Sequence, residues 1–183
     1  MRATIFAIGL VLAAGATPAV AASSVYSIPQ PAITAAGRAV LIPDSAHQPK
    51  PGQRQRAVFH LTKAAASPDK LNAGLDAAAR AVNLLVASGV KREQMDLVMV
   101  LSADATDAVL INTAYRARHG RDNPNLKVIG QLAGSGVEVF VCGQALHARG
   151  LDKDSVAGPV SVSLSALTSI IQLQQNGYAF VPL

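Results

Sequence analysis

The stretch DLVMVLSA, residues 96–103, decides the fold class of this chain. An unbroken run of apolar residues separates Asp96 from Ser102. A strand with one wet face alternates apolar and polar residues, whereas a strand that helices cover on both faces is apolar throughout. The stretch therefore predicts a buried strand in a parallel sheet.

Strand and helix patterns alternate on both sides of this stretch. Apolar runs bounded by turn residues predict the other strands, at residues 57–62, 137–141, 160–164 and 178–181. Apolar residues at helical spacing predict the helices between them, the first of which is expected to begin with Ser67 as its cap and the second to cover residues 107–119. The alternation predicts an α/β fold: a three-layer α/β/α domain with a mainly parallel sheet of about five strands.

The first 56 residues have a different composition from the rest. Arg2, an apolar run at residues 5–14 and the small residues 19–21 are typical of a secretory signal, so residues 1–21 are interpreted as a signal peptide. The run is too short to span a bilayer, and we expect a periplasmic protein without a membrane anchor after cleavage; an uncleaved anchor is the alternative. Residues 22–56, rich in Pro and Gln, are expected to form an arm or linker outside the core, in which residues 38–42 form a short strand or lie along a neighbouring subunit. The domain is assigned to residues 57–183.

The chain carries a net charge of +5, but its basic residues are scattered. Nucleic-acid binding usually needs a contiguous basic stripe with aromatic residues interleaved, and this chain has no Trp. We therefore expect no nucleic-acid partner. The sequence contains no nucleophile elbow, phosphate loop or dinucleotide fingerprint, so no cofactor and no metal are expected.

Cys142 is the only cysteine of the chain and ends the third predicted strand, within VEVFVCGQALH, residues 137–147. Ligands and reactive groups collect at the carboxyl ends of strands in open parallel sheets. Backbone N–H groups at the start of the following helix favour a thiolate at this position. The alternative is a small apolar residue buried in the core, and both interpretations stay open here.

Four residues are candidates for binding a substrate beside the catalytic candidate Cys142. Gly143 lets another backbone or a ligand come close, and Gln144 offers an adaptable amide. His60, near the end of the first strand, is either a base for the cysteine across the sheet edge or a core histidine with its own partners. Arg149 would supply positive charge if it folds back toward the thiol.

Other polar residues are assigned structural roles. Asp104 and Asp107 are interpreted as helix caps rather than a cation site, because no third ligand is near them in sequence. His119 lies near a helix end, where the helix dipole favours it. His147 would point away from Cys142 in a regular helix.

Several short stretches in combination resemble the DsrE/DsrF-like family of small sulfur-relay proteins, and in particular its exported members. The resemblance covers residues 57–183 and rests on AYRA (114–117), DNPNL (122–126), VFVCGQ (139–144), RG (149–150) and NGYA (176–179). It implies an α/β fold with a parallel sheet and a homo-oligomer, commonly a trimer or a hexamer. It also implies that a cysteine at the position of Cys142 accepts sulfane sulfur as a persulfide and passes it to a thiol of a partner.

Two hypotheses about function follow from these observations. In the first, the protein is an exported sulfur carrier, at most sulfurtransferase-like, whose partner is a thiol-bearing acceptor protein or a small sulfur compound. The usual partners of the family are cytoplasmic, so the apparent export signal of this chain removes them from the expectation. In the second, the protein is a non-catalytic oligomeric binding module in which Cys142 merely lines a pocket.

Overall fold

The computed structural model describes residue 28 and residues 31–183 of the chain. Its elements, in chain order, are β1 (Gln55–Leu61), α1 (Ala73–Ala87), β2 (Met95–Leu101), α2 (Asn112–His119), α3 (Leu126–Gly134), β3 (Glu138–Cys142), α4 (Gly143–Ala148), β4 (Val160–Ser163), α5 (Ala166–Gln175) and β5 (Ala179–Pro182). Short 3₁₀ helices cover Arg92–Gln94, Ala103–Val109 and Lys153–Ser155. No helix in the described part of the chain has the length and apolar character needed to cross a bilayer. The predicted signal peptide lies outside the described residues.

The five strands form one sheet in the order β4-β3-β2-β1-β5, and every neighbouring pair is parallel. β2 is the central strand, and its residues Leu97 to Leu101 are all buried. The predicted fold class, a parallel five-stranded sheet between helices, is confirmed. The predicted strand with two buried faces is also found, but it covers Met95–Leu101 and ends two residues before the predicted end at Ala103.

The two faces of the sheet are covered unequally. Leu97, Met99 and Leu101 face a large core built with α1 and α3. Val98 and Val100 face the opposite way, into a smaller core that contains Cys142 and residues of α5. Because α5 packs on β1 and β2, it leaves the part of this second face that β3 and β4 form partly uncovered.

Two predicted helix boundaries are wrong, each for a local reason. α1 begins at Ala73 and not after Ser67, since Asn72 accepts a hydrogen bond from the Gly74 N–H at 2.8 Å and acts as the cap. Asn72 is held there because its side-chain amide donates to the Lys63 carbonyl at 2.8 Å. The helix predicted at 107–119 is interrupted because Leu110 is extended and buried, and it bridges to Val156.

The expectation that residues 22–56 contribute nothing to the core is also wrong. Ile33 is fully buried and belongs to the larger core. Asn83 of α1 holds this segment: its side chain accepts from the Ile33 N–H at 2.8 Å and donates to the carbonyls of Ile33 and Gly37, both at 3.0 Å. Gly37 has φ +71°, and a Cβ there would lie 2.4 Å from the backbone of Ala79, so the segment approaches α1 at a distance that only glycine allows. Residues 38–42 contain no strand among the named elements, although Val40 alone is in a β-bridge.

We predict that Asn83→Ala lowers the free energy of unfolding by about 1–3 kcal/mol, because it leaves buried backbone groups of the N-terminal segment without their partner. Urea denaturation of the full chain measures this change. Asn176→Ala, at an exposed position whose side chain makes no recorded hydrogen bond, is the matched control and should change stability by less than about 0.5 kcal/mol. Equal losses in the two variants would contradict the structural role of the segment.

Candidate functional site

Cys142 is the last residue of β3 and the residue that precedes the first turn of α4. Only 6% of its surface is exposed. It packs in the smaller core with Val58, Val100, Ala166 and Ile170. The sheet therefore places the thiol at the carboxyl edge, as the sequence predicts, but under the start of α5 instead of in open solvent.

Gly143 and Gln144 both contact the connection between β4 and α5. A Cβ on Gly143 would lie 2.7 Å from the carbonyl oxygen of Ser163, so the glycine is required by the close approach of the β4 backbone. The side-chain amide of Gln144 donates to the carbonyl of Leu164 at 3.2 Å. Both residues thus contact the β4–α5 connection next to the thiol. The Gln144 amide is already hydrogen-bonded to a backbone carbonyl of that connection.

His60 is separated from Cys142 by the whole width of β2. Its Nε2 lies 2.9 Å from Oγ of Ser102, and its ring is tilted against Phe180 with centroids 6.0 Å apart. Burial lowers the pKa of the imidazole below its ordinary value of 6.5, so the ring is neutral at physiological pH. The structure does not bring His60 into a direct hydrogen bond with the cysteine.

Ser102 is a residue of this edge that sequence reasoning missed. It is 8% exposed and follows β2 with extended backbone angles, φ −152° and ψ −179°. Its N–H donates to the Leu61 carbonyl at 3.0 Å, so the parallel ladder continues through it. The signal available in the sequence was its place as the first polar residue after the apolar run of β2, at the edge where ligands collect.

Arg149 does not fold back to the thiol. Its guanidinium donates to the Ala103 carbonyl and to Asp104 at 2.9 Å each, and it lies 3.5 Å from Asp107. Asp107 also accepts from Arg118 at 3.1 Å and contacts Nε2 of His119 at 2.8 Å.

The predicted capping roles of these acidic residues therefore need correction, whereas His119 lies at the end of α2 as predicted. Asp104 and Asp107 do not cap a helix; they pair with basic groups that α2 and α4 bring to the 3₁₀ segment Ala103–Val109. His119 is held by Asp107 and by its ring contact with Tyr115, whose centroid is 4.4 Å away. These ion pairs connect α2, the 3₁₀ segment Ala103–Val109 and the end of α4 at the carboxyl edge. The charge of Arg149 is neutralised there by carboxylates.

A groove of about 470 Å³ lies on the same face of the sheet as the thiol, between α5 and β3. Its lining combines apolar and polar side chains, among them Val98, Glu138, Phe140, Leu164, Thr168, Leu173 and Tyr178. Cys142 is not one of its lining residues, but Leu164, which borders the groove, accepts the hydrogen bond from Gln144 beside the thiol. Within residues 31–183, no three His, Cys, Asp or Glu side chains come together in a metal-binding arrangement.

We predict that Gly143→Ala lowers the free energy of unfolding by about 1–3 kcal/mol, because the added methyl group overlaps the Ser163 carbonyl. Thermal and urea unfolding measure the change. Gly130→Ala in α3 is the matched control: a Cβ there meets no atom within 4 Å, and the variant should be as stable as the wild type or more stable. A Gly143→Ala protein of wild-type stability would contradict the close approach of β4 to this residue.

Comparisons with known proteins agree with this architecture. The sequence profile of the DsrE/DsrF-like family matches residues 39–183. No curated protein matches the chain significantly. The solved structure of MTH1491, a protein of unknown function from Methanobacterium thermoautotrophicum, is 22% identical, with a TM-score of 0.53 over 70% of this chain and 99% of its own. The ychN protein from E. coli is 20% identical, with a TM-score of 0.49 over the same shares. At 22% identity, the MTH1491 comparison shows a common fold and nothing finer.

Proposed function

Because this chain belongs to the DsrE/DsrF-like family, we propose that it carries sulfane sulfur on Cys142 as a persulfide or mixed disulfide. Membership of the family suggests a role related to sulfur relay. The observation that carries the specific proposal is the position of Cys142: the only thiol of the chain stands at the carboxyl edge of the sheet, inside the matched region.

The proposed chemistry is two thiol exchange steps. In the first, the Cys142 thiolate attacks the sulfane sulfur of a donor, a new S–S bond forms, and the donor's remaining group leaves with the electron pair. In the second, the thiolate of an acceptor attacks the outer sulfur and Cys142 leaves as a thiolate. Neither step needs a second cysteine in this chain, an external oxidant or a reductant.

The surroundings of the thiol support an anionic sulfur. Cys142 immediately precedes α4 and packs against Ala166, the first residue of α5. Backbone N–H groups at helix starts carry partial positive charge, which stabilises a nearby anion. No acidic residue lies in the first turn of α5 to oppose this effect.

The burial of the thiol limits the donor that the proposed site accepts. A side chain that is 6% exposed admits a small molecule more readily than the tip of another protein. Gln144 and Leu164, which hydrogen bond to each other beside the thiol, are themselves exposed. Small donors such as thiosulfate-derived species or polysulfides fit this access, and the acceptor is a thiol-bearing protein or a small thiol.

A second candidate function is a non-catalytic binding module, and the same burial favours it. In this alternative Cys142 is a packing residue of the smaller core, and the ligand occupies the groove lined by Phe140 and Leu173. The groove does not include the thiol in its lining, so ligand binding would be independent of the sulfur atom.

We also propose that the protein is exported to the periplasm and forms a homo-oligomer. The proposed contact surface is the face of the sheet that α5 covers, together with the exposed side of α5; it is called the α5 face. Four of the large apolar residues that are exposed in the described chain lie on this face: Leu164, Leu167, Ile171 and Phe180. Leu164 and Leu167 are 74% and 73% exposed. Contiguous apolar patches of this kind mark association surfaces.

We predict that the wild-type protein, incubated with polysulfide, gains the mass of one or more sulfur atoms on Cys142, while Cys142→Ser gains none. Intact mass spectrometry with peptide mapping measures the addition, and subsequent treatment with a small thiol should remove it. A wild-type mass that never changes would exclude the carrier function. A ligand retained equally by wild type and Cys142→Ser would instead support the binding module.

We predict that Leu167→Glu with Ile171→Glu converts an oligomer into monomers, because two carboxylates cannot be buried in an apolar interface without partners. Light scattering coupled to size-exclusion chromatography measures the molar mass. Val86→Glu is the matched control, since Val86 is 36% exposed but lies on α1, on the other side of the sheet. A wild-type protein that is monomeric at high concentration would contradict the assembly proposal.

A further inference from the structure

We propose that the groove between α1 and α3 is a peptide-binding site that takes the arm of a second copy of this chain as well as its own. The arm is residues 31–38, and residues 39–54 are the hinge that connects it to β1. The groove lies on the face of the sheet opposite to Cys142, so the inference does not rest on the proposed sulfur chemistry.

The arm is bound as a separate peptide would be, through hydrogen bonds between helix side chains and its backbone. Gln131 of α3 accepts from the N–H groups of Thr34 and Ala35, at 2.9 Å each. Asn83 of α1 accepts from the N–H of Ile33 and donates to its carbonyl. Because these contacts recognise the backbone, they are available to any chain that brings the same segment to the groove.

Two residues of the arm make this binding selective. Ile33 is fully buried in the larger core. Gly37 donates its N–H to Asp76 at 2.8 Å and lies so close to Ala79 that a Cβ has no space. The groove therefore selects a peptide with a large aliphatic residue four positions before a glycine. A second copy of this chain carries that peptide and offers the same groove in return.

The sheet and its helices are complete without the arm. All five strands and all five α-helices lie within residues 55–182. MTH1491 has the same fold, and 99% of its chain matches 70% of this one, so the fold needs far fewer residues than this chain has. Since no strand or α-helix includes the arm, it can move to an identical groove without breaking an element. Two chains that exchange arms form a closed pair, and such swapping is a low-cost route to a dimer.

The hinge holds two residues in a strained backbone conformation. Asp44 has φ +59° and His47 has φ +57°, in the left-handed region that is unfavourable for residues other than glycine. Residues 42–54 are exposed apart from Pro49, so little packing compensates for this strain. A hinge that opens to an extended path releases the strain, and strained hinge loops favour exchange of the segment they connect.

The arm that lies in its own groove is the stronger competitor in a single chain. Its tether gives it a high effective concentration at that groove, which the arm of a second chain has to exceed. Exchange therefore predominates when the groove of one chain and the arm of another are both left without their own partners.

The test mixes two full-length variants that are defective in opposite halves of the contact. Ile33→Asp removes the anchor of the arm and leaves the groove intact, whereas Asn83→Ala with Gln131→Ala removes groove contacts and leaves the arm intact. Both proteins also carry Leu167→Glu and Ile171→Glu, so that the α5 face does not contribute. Size-exclusion chromatography with light scattering should give the mass of one chain for each variant alone and twice that mass for the mixture.

Gly37→Ala and Gly52→Ala, each added to the variant that supplies the arm, are the matched controls. Both glycines have positive φ, +71° and +90°, but an added Cβ meets other atoms at Gly37 and none within 4 Å at Gly52. Gly37→Ala should abolish the two-chain complex, and Gly52→Ala should leave it intact. Folded variants that form no complex, or a complex that tolerates Gly37→Ala, would overturn the proposal.

A synthetic peptide of residues 31–40 replaces the second chain if Ile33→Asp is too unstable to be mixed. Because the peptide supplies the missing arm, it should raise the melting temperature of Ile33→Asp as its concentration rises, and leave that of the wild type, whose groove is filled, unchanged. The same peptide with Gly37→Ala should affect neither protein. A melting temperature of Ile33→Asp that no peptide concentration raises would exclude a peptide site in this groove. Peptide binding without a two-chain complex between folded variants would exclude the second copy as the occupant.

Discussion

The structure depends on the burial of β2 on both of its faces. Five successive apolar side chains cannot be hidden by a single layer, so strands must flank β2 and helices must lie above and below it. The two layers are unequal: α1, α3 and the N-terminal segment cover one face, while α5 alone covers most of the other. This inequality puts the thiol, the groove and the exposed apolar surface on the same side of the sheet.

Local patterns predict the fold because burial on two faces and helical spacing are properties of short stretches. The positions of the strands follow from these patterns. The site is predicted less well, since its contacts depend on register and on the paths of distant segments. Ser102 becomes a neighbour of Cys142 only through the β2–β3 pairing, and Arg149 turns to Asp104 because the 3₁₀ segment lies within its reach. Ile33 enters the core through Asn83, a contact fifty residues away along the chain.

The surroundings of Cys142 have opposite effects on the charge of its sulfur atom. Apolar surroundings disfavour an anion, whereas the backbone N–H groups at the start of α4, next to the thiol, favour one. Gly143 and Gln144 contact the β4–α5 connection next to the thiol, the glycine at the Ser163 carbonyl and the glutamine through its hydrogen bond to the Leu164 carbonyl. A covered thiol is shielded from larger oxidants, a property that the proposed carrier function requires of an unpaired cysteine.

The most direct test of the central claim is a crystal structure of the protein after treatment with polysulfide. The account predicts additional density for a sulfur atom bonded to Sγ of Cys142, with the segment around Leu164 displaced to make room for it. An unmodified thiol, packed against Ala166 and Ile170 in crystals whose donor reacts with other thiols under the same conditions, would contradict it.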